Sequence, residues 1–217
     1  MAELLCKICG LTRAEDVAFC HGMGADFIGF IFARRSPRFV EAGHAALLPV
    51  GSALRVGVFV GSDIAEVRDI ARRARLDMIQ LHGGEDVEFC RALGAERVIK
   101  TIWPERLSPE KAAEEMERFA PVCAYFLLDA GGAGGGSGKL LDTAALRRLH
   151  PPKPWFLAGG LGTDTLPSVL SSFTPAWRPY ALDMNSALES SPGVKDHDMV
   201  RKALGLAGAW RQDAVLR

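Results

Sequence analysis

The sequence is short of what several function classes require. It has no excess of either charge: 26 Lys and Arg balance 26 Asp and Glu in 217 residues. A general nucleic-acid binder would show a basic field, and a disordered acidic chain would show the opposite imbalance. No uninterrupted apolar run approaches the roughly 20 residues of a membrane span. Met1 to Cys9 carries no basic region, apolar segment or cleavage signal, so export is not expected. The expected setting is cytoplasmic, with neither nucleic acid nor membrane as partner. Cysteines number five, an odd count in a chain long enough to build a core without staples, so a reduced compartment is the simpler reading.

Nucleotide signatures are missing too. Gly131–Lys139 invites a phosphate-loop reading, but Ala133 stands where the first glycine is needed and Leu140 where Ser or Thr is needed. The dinucleotide pattern of three spaced glycines fails in every register of this stretch. Cys6-Lys7-Ile8-Cys9 invites a redox pair or half a zinc site, but no second cysteine pair or His pair completes a zinc site. It also lies in a strand-like run, where positions three apart face opposite sides and the sulfurs would diverge.

What is present is a repeat of architecture. Eight short apolar, β-branched runs occupy Leu4–Cys9, Asp26–Phe32, Leu54–Val60, Leu76–Leu81, Arg97–Ile102, Val122–Leu128, Pro154–Ala158 and Pro179–Asp183. Their starts lie 21 to 32 residues apart, room for a strand, a helix and two loops. Several are apolar on both faces, as strands of a covered parallel sheet are. Helical patterns fit Arg13–Met23 (with Thr12 as N-cap), Asp63–Ala74, Ser108–Phe119, Asp142–Leu149, Thr163–Ser172 and Lys195–Leu206. Eight such units fit a single-domain α/β (β/α)₈ barrel over residues 1–217, with a tail after about 206 that could be loose. An open doubly wound sheet is the alternative.

In a barrel the site lies at the C-terminal ends of the strands. That rule selects residues. If Cys9 points to the axis, so do Lys7 and Leu5, and a lysine there needs an anionic partner such as Asp129 or Asp183. Cys9 reads as a small core residue or a reactive thiol. Asp129 reads as a turn aspartate or as a general acid beside a lid that includes Gly136, Ser137 and Gly138. Gly159, Gly160, Asn185 and Ser186 follow strands 7 and 8, where this fold commonly holds phosphate; tight turns are the alternative. Arg38 suits a substrate carboxylate or is a solvated loop residue. His82 could pack, cap or touch substrate.

Six segments, in order over about residues 5 to 205, resemble the phosphoribosylanthranilate isomerase family. They are Lys7–Thr12, Gly57–Val60, Ile79–Gly83, Leu128-Asp129 with Gly136–Lys139, Ala158–Leu161 and Glu189–Asp196. The resemblance implies a barrel enzyme of tryptophan biosynthesis, acting on a small phosphosugar with no metal or other cofactor, as a monomer or homodimer. It implies the Amadori rearrangement of N-(5′-phosphoribosyl)anthranilate to 1-(2-carboxyphenylamino)-1-deoxyribulose 5-phosphate. By position it makes Cys9 the general base, Asp129 the general acid and Arg38 the holder of the anthranilate carboxylate. The chain departs from the family at strand 8, where Ala187 replaces a glycine.

Three rivals stand beside this reading. The histidine-pathway isomerase carries aspartate where Cys9 stands. Ribulose-phosphate epimerase-like enzymes need more strand-end metal ligands than His82. A barrel that binds phosphate ligands without catalysis has no use for both Cys9 and Asp129.

Overall fold

Strand β1, Leu5–Ile8, is short, apolar except for Lys7, and almost wholly buried, as a strand covered on both faces must be. The computed structural model describes residues 4–129, 146–174 and 177–215. Seven further strands follow: β2 (Phe27–Ile31), β3 (Leu54–Phe59), β4 (Met78–Leu81), β5 (Val98–Ile102), β6 (Tyr125–Asp129), β7 (Trp155–Ala158) and β8 (Ala181–Met184). Each pairs parallel with the next, and β8 returns to β1, so the sheet closes into a barrel. Every run expected to form a strand forms one, and closure removes the open-sheet alternative.

The period of two divides each strand between two cores. Outward residues such as Cys6, Ile8, Ile28, Phe30 and Ile79 join a large cluster with the helices. Inward residues Phe27, Val56, Met78, Ile99, Leu127, Phe156 and Ala181 fill the barrel itself, with Leu5 and Tyr180 packed beside them. At about 1.5–3 kcal/mol per fully buried large apolar side chain, the two layers dominate the fold.

The described helices are α1 (Ala14–Gly22), α2 (Ala42–Leu47), α3 (Ile64–Arg73), α4 (Val87–Leu93), α5 (Pro109–Phe119), α6 (Leu166–Ser171) and α7 (His197–Val215). Local chemistry starts several of them. Asp63 accepts from Glu66 N, Asp86 from Phe89 N, and Ser108 from Lys111 N with Pro109 in the first turn.

Three expectations are corrected. Thr12 does not cap α1: Arg13 takes that position without a side-chain cap bond, and Thr12 Oγ1 donates to Gly193 O at 2.8 Å. Lys195 is not helical. It lies in a two-stranded antiparallel hairpin, β9 (Glu189–Ser191) and β10 (Val194–Lys195). The last helix runs to Val215 rather than Leu206, because Trp210 packs edge-on to Phe173 and Arg211 Nη2 donates to Asp26 at 3.0 Å. The short helices α2 and α4 had no pattern strong enough to single out. Residues 130–145, which hold the expected lid and the start of the expected helix Asp142–Leu149, lie outside the described residues.

Candidate active site

Several inward positions at the strand ends, Lys7, Gln80, Thr101, Asp129 and Asp183, are polar where those deeper in the barrel are apolar. Lys7 and Asp183 are register partners across the β1–β8 seam, so their side chains enter the barrel at one level. Lys7 Nζ meets Asp183 Oδ1 at 2.8 Å, with the lysine fully buried. Burial disfavours its ammonium, but Asp183 and the Cys9 thiol outweigh that and hold it protonated. Burial likewise pushes the Asp183 carboxyl up, and Lys7 opposes the push.

Cys9 follows β1 on the same inward face, while Cys6 faces the helix layer. Both are buried free thiols, and their facing opposite sides of the strand is against a redox pair. Room for Cys9 comes from β2: a Cβ on Gly29 would lie 2.8 Å from its sulfur. Burial raises the Cys9 thiol above its ordinary value; Lys7, through charge and a hydrogen bond, and Lys195, through charge, act against that. Cys9 is thus an unionised thiol with cations beside it that favour the thiolate.

Across the mouth, β4, β5 and β6 contribute a second group. His82 Nδ1 lies 3.1 Å from Thr101 Oγ1 and 3.3 Å from Gln80 Nε2. With Gln80 as donor, Nδ1 accepts and the ring proton sits on Nε2, which faces Asp129 Oδ2 at 3.5 Å. Burial lowers the His82 pKa to about 4, so the ring is neutral at pH 7 and this contact is not an ion pair. Trp103 packs edge-on against the ring at 5.1 Å. The sequence reading placed Gln80 at the strand end without a role and missed Thr101, although strand alternation places both inward.

The β2 and β8 loops form a third group. Arg38 Nε lies 2.9 Å from both Glu189 carboxylate oxygens, and Nη2 lies 2.6 Å from Oε2. Lys195 Nζ donates to Glu189 Oε1 at 2.8 Å and to Asn185 Oδ1 at 2.9 Å. Arg38 is therefore an ordered residue, not a solvated one. Glu189 and Lys195 were visible only as letters of a motif, with no role attached. Asn185 was expected at phosphate through the backbone N–H groups of its loop; its side-chain oxygen accepts from Lys195 and leaves those amides unaffected. Gly10, at φ +73°, leaves the space that Asn185 and Arg38 fill.

Gly159 and Gly160 end β7 at φ +105° and +65°. Thr165 Oγ1 donates to Gly160 O at 3.0 Å and accepts from Gly162 N at 2.9 Å. Ser186 is exposed at the start of a single 3₁₀ turn after β8. The Ala187 methyl abuts Gly162, where an added Cβ would lie 2.7 Å from it. A side chain at 187 is accommodated because 162 has none. Of the predicted site residues, Lys7, Cys9, His82, Asp129 and Asp183 line the barrel mouth, and Arg38, Gly159, Gly160, Asn185 and Ser186 stand on its rim. Gly136, Ser137 and Gly138 lie outside the described residues. Among the described residues, no group of three His, Cys, Asp or Glu side chains is placed to hold a metal ion.

Comparison with known proteins follows the same lines. A model of the family described as N-(5′-phosphoribosyl)anthranilate (PRA) isomerase matches residues 6–205. A protein of that name from Desulfovibrio desulfuricans is 46% identical over 214 residues, covering 98% of this chain and 100% of its own. The phosphoribosyl anthranilate isomerase structure from Thermus thermophilus is similar at TM-score 0.81 and 33% identity, covering 99% of this chain and 100% of that one. A further isomerase structure, solved with reduced 1-(o-carboxyphenylamino)-1-deoxyribulose 5-phosphate, is similar at TM-score 0.76 and 32% identity, covering 95% and 99%.

Proposed function

Because this chain belongs to the phosphoribosylanthranilate isomerase family, we propose that Cys9 and Asp129 are the base and acid with which it isomerises N-(5′-phosphoribosyl)anthranilate in tryptophan biosynthesis. The observation that carries the assignment is placement. Cys9 and Asp129 stand at the ends of β1 and β6, on the inward face, where the fold presents groups to a ligand.

The chemistry suits the two groups. Asp129, part-exposed at the mouth, gives a proton to the furanose ring oxygen, and the ring opens to a Schiff base. That cation acidifies the C2′ proton. Cys9, having first released its own proton to solvent, removes it as the thiolate, and the enolamine tautomerises to the ketone. Lys7 and Lys195 supply positive charge that opposes, without cancelling, the cost of burying the thiolate. Neutral His82 offers its Nε2 proton beside Asp129 and so orients that carboxyl.

Arg38 takes the anthranilate carboxylate, and the amides of the β7 and β8 loops take the phosphate. No helix among the described residues is long and apolar enough to cross a membrane. With five cysteines, an odd number, we place the enzyme in the cytoplasm.

The test is turnover of freshly generated phosphoribosylanthranilate, followed by loss of anthranilate-type fluorescence. Turnover should survive EDTA and Cys6→Ser and collapse in Cys9→Ala and in Asp129→Asn. Loss with EDTA would favour a metal-dependent mechanism. Equal damage from Cys6→Ser and Cys9→Ser would favour thiol chemistry. Retained turnover in Asp129→Asn would remove that residue as the acid.

A further inference from the structure

A guanidinium has two forks, Nε with Nη2 and Nη1 with Nη2, and each matches one carboxylate. In Arg38 the first fork is taken by Glu189. Glu189 is itself immobilised. Its side chain is 3% exposed, and its Oε1 accepts from Lys195 Nζ at 2.8 Å and Gly193 N at 3.3 Å. Lys195 is fully buried and also donates to Asn185 O at 3.2 Å. The β9–β10 register sets Lys195 opposite Glu189, so the hairpin delivers both. From the other side, Gly10 leaves the room in which the Arg38 Cδ and the Asn185 amide sit.

We propose that Glu189 is a positioning residue: it fixes the plane of Arg38 so that the Nη1–Nη2 fork faces the aromatic carboxylate of the substrate. This rests on the reading that Arg38 binds that carboxylate. The charge count agrees with it. Arg38 and Lys195 bring two positive charges and Glu189 one negative, which leaves one positive charge for one substrate carboxylate. A fork held in place before binding loses less freedom when the ligand arrives.

The experiment measures KM and kcat for the intact enzyme, Glu189→Gln, Arg38→Met and the double variant. It also measures binding of two product analogues, one with and one without the aromatic carboxylate. Glu189→Gln should raise KM about tenfold, the scale of a weakened charge-assisted hydrogen bond, with a much smaller change in kcat. It should weaken binding of the carboxylate analogue and leave the other unchanged. In the Arg38→Met background, Glu189→Gln should add nothing.

If Arg38→Met leaves KM unchanged, the carboxylate reading itself falls. If Arg38→Met raises KM and Glu189→Gln does not, or if the two effects multiply, the positioning role is overturned. The ratio of the two analogue affinities is internal to each variant, so it decides the matter even where Glu189→Gln lowers the folded fraction. An unchanged ratio overturns the proposal.

Discussion

Lys7 and Asp183 form a buried ion pair, 2.8 Å apart, between the first and last strands of the barrel. It spans the β1–β8 seam at the level of the site and places a fixed cation beside the Cys9 thiol. Lys7→Met leaves a buried carboxylate without its partner, so unfolding by urea should show a loss of about 3–5 kcal/mol. The double variant Lys7→Met, Asp183→Asn should recover part of that loss, since no uncompensated charge remains.

His82 gives stability a pH dependence of definite sign. Its folded pKa is lowered to about 4, against an ordinary value of 6.5. The unfolded chain therefore takes up the proton first as pH falls, and this contribution is complete above about 6.5 and lost between there and about 4. Allowing for its 30% exposed side chain, the loss should be about 2 kcal/mol. Urea unfolding at pH 7 and pH 4.5 should show a loss larger in the intact protein than in His82→Asn, by about that amount.

Gly29 bears on the chemistry without carrying any. An added Cβ would lie 2.8 Å from Cys9 Sγ and 3.0 Å from its Cα, so Gly29→Ala must displace the thiol. We expect a stability cost of about 1–3 kcal/mol. The loss in kcat should be about 100-fold, as for a general base moved out of line. Circular dichroism alongside turnover separates the two effects.

Gly162 and Ala187 couple the loops assigned to phosphate. Gly162→Ala should raise KM about tenfold by driving the loops apart, with kcat little changed, because phosphate is bound alike in ground and transition states. Adding Ala187→Gly should restore KM, since it removes the atom that the new methyl meets at 2.7 Å.

The barrel was legible because its strands are apolar on both faces and evenly spaced, and both features survive without any knowledge of contacts. Alternation along β1 placed Lys7 and Cys9 on the axis before any partner was known. What stayed hidden depends on pairing between distant segments. The choice of Asp183 over Asp129 for Lys7 is made by the β8 register. The burial of Glu189 against Arg38 and Lys195 needs a two-stranded hairpin whose short strands carry no clear period. Thr12 has the letters of a helix cap, but a tertiary bond to Gly193 claims its hydroxyl.

The central claim, that Cys9 moves the C2′ proton and does not merely fill space, is tested most directly by separating chemistry from binding in Cys9→Ala. The account predicts that kcat falls about 1,000-fold, within the range of a lost general base. The dissociation constant for the reduced product should stay within about threefold, since the thiol adds little to binding. A kcat within tenfold of the intact enzyme would contradict it, as would a loss of activity explained wholly by lost binding.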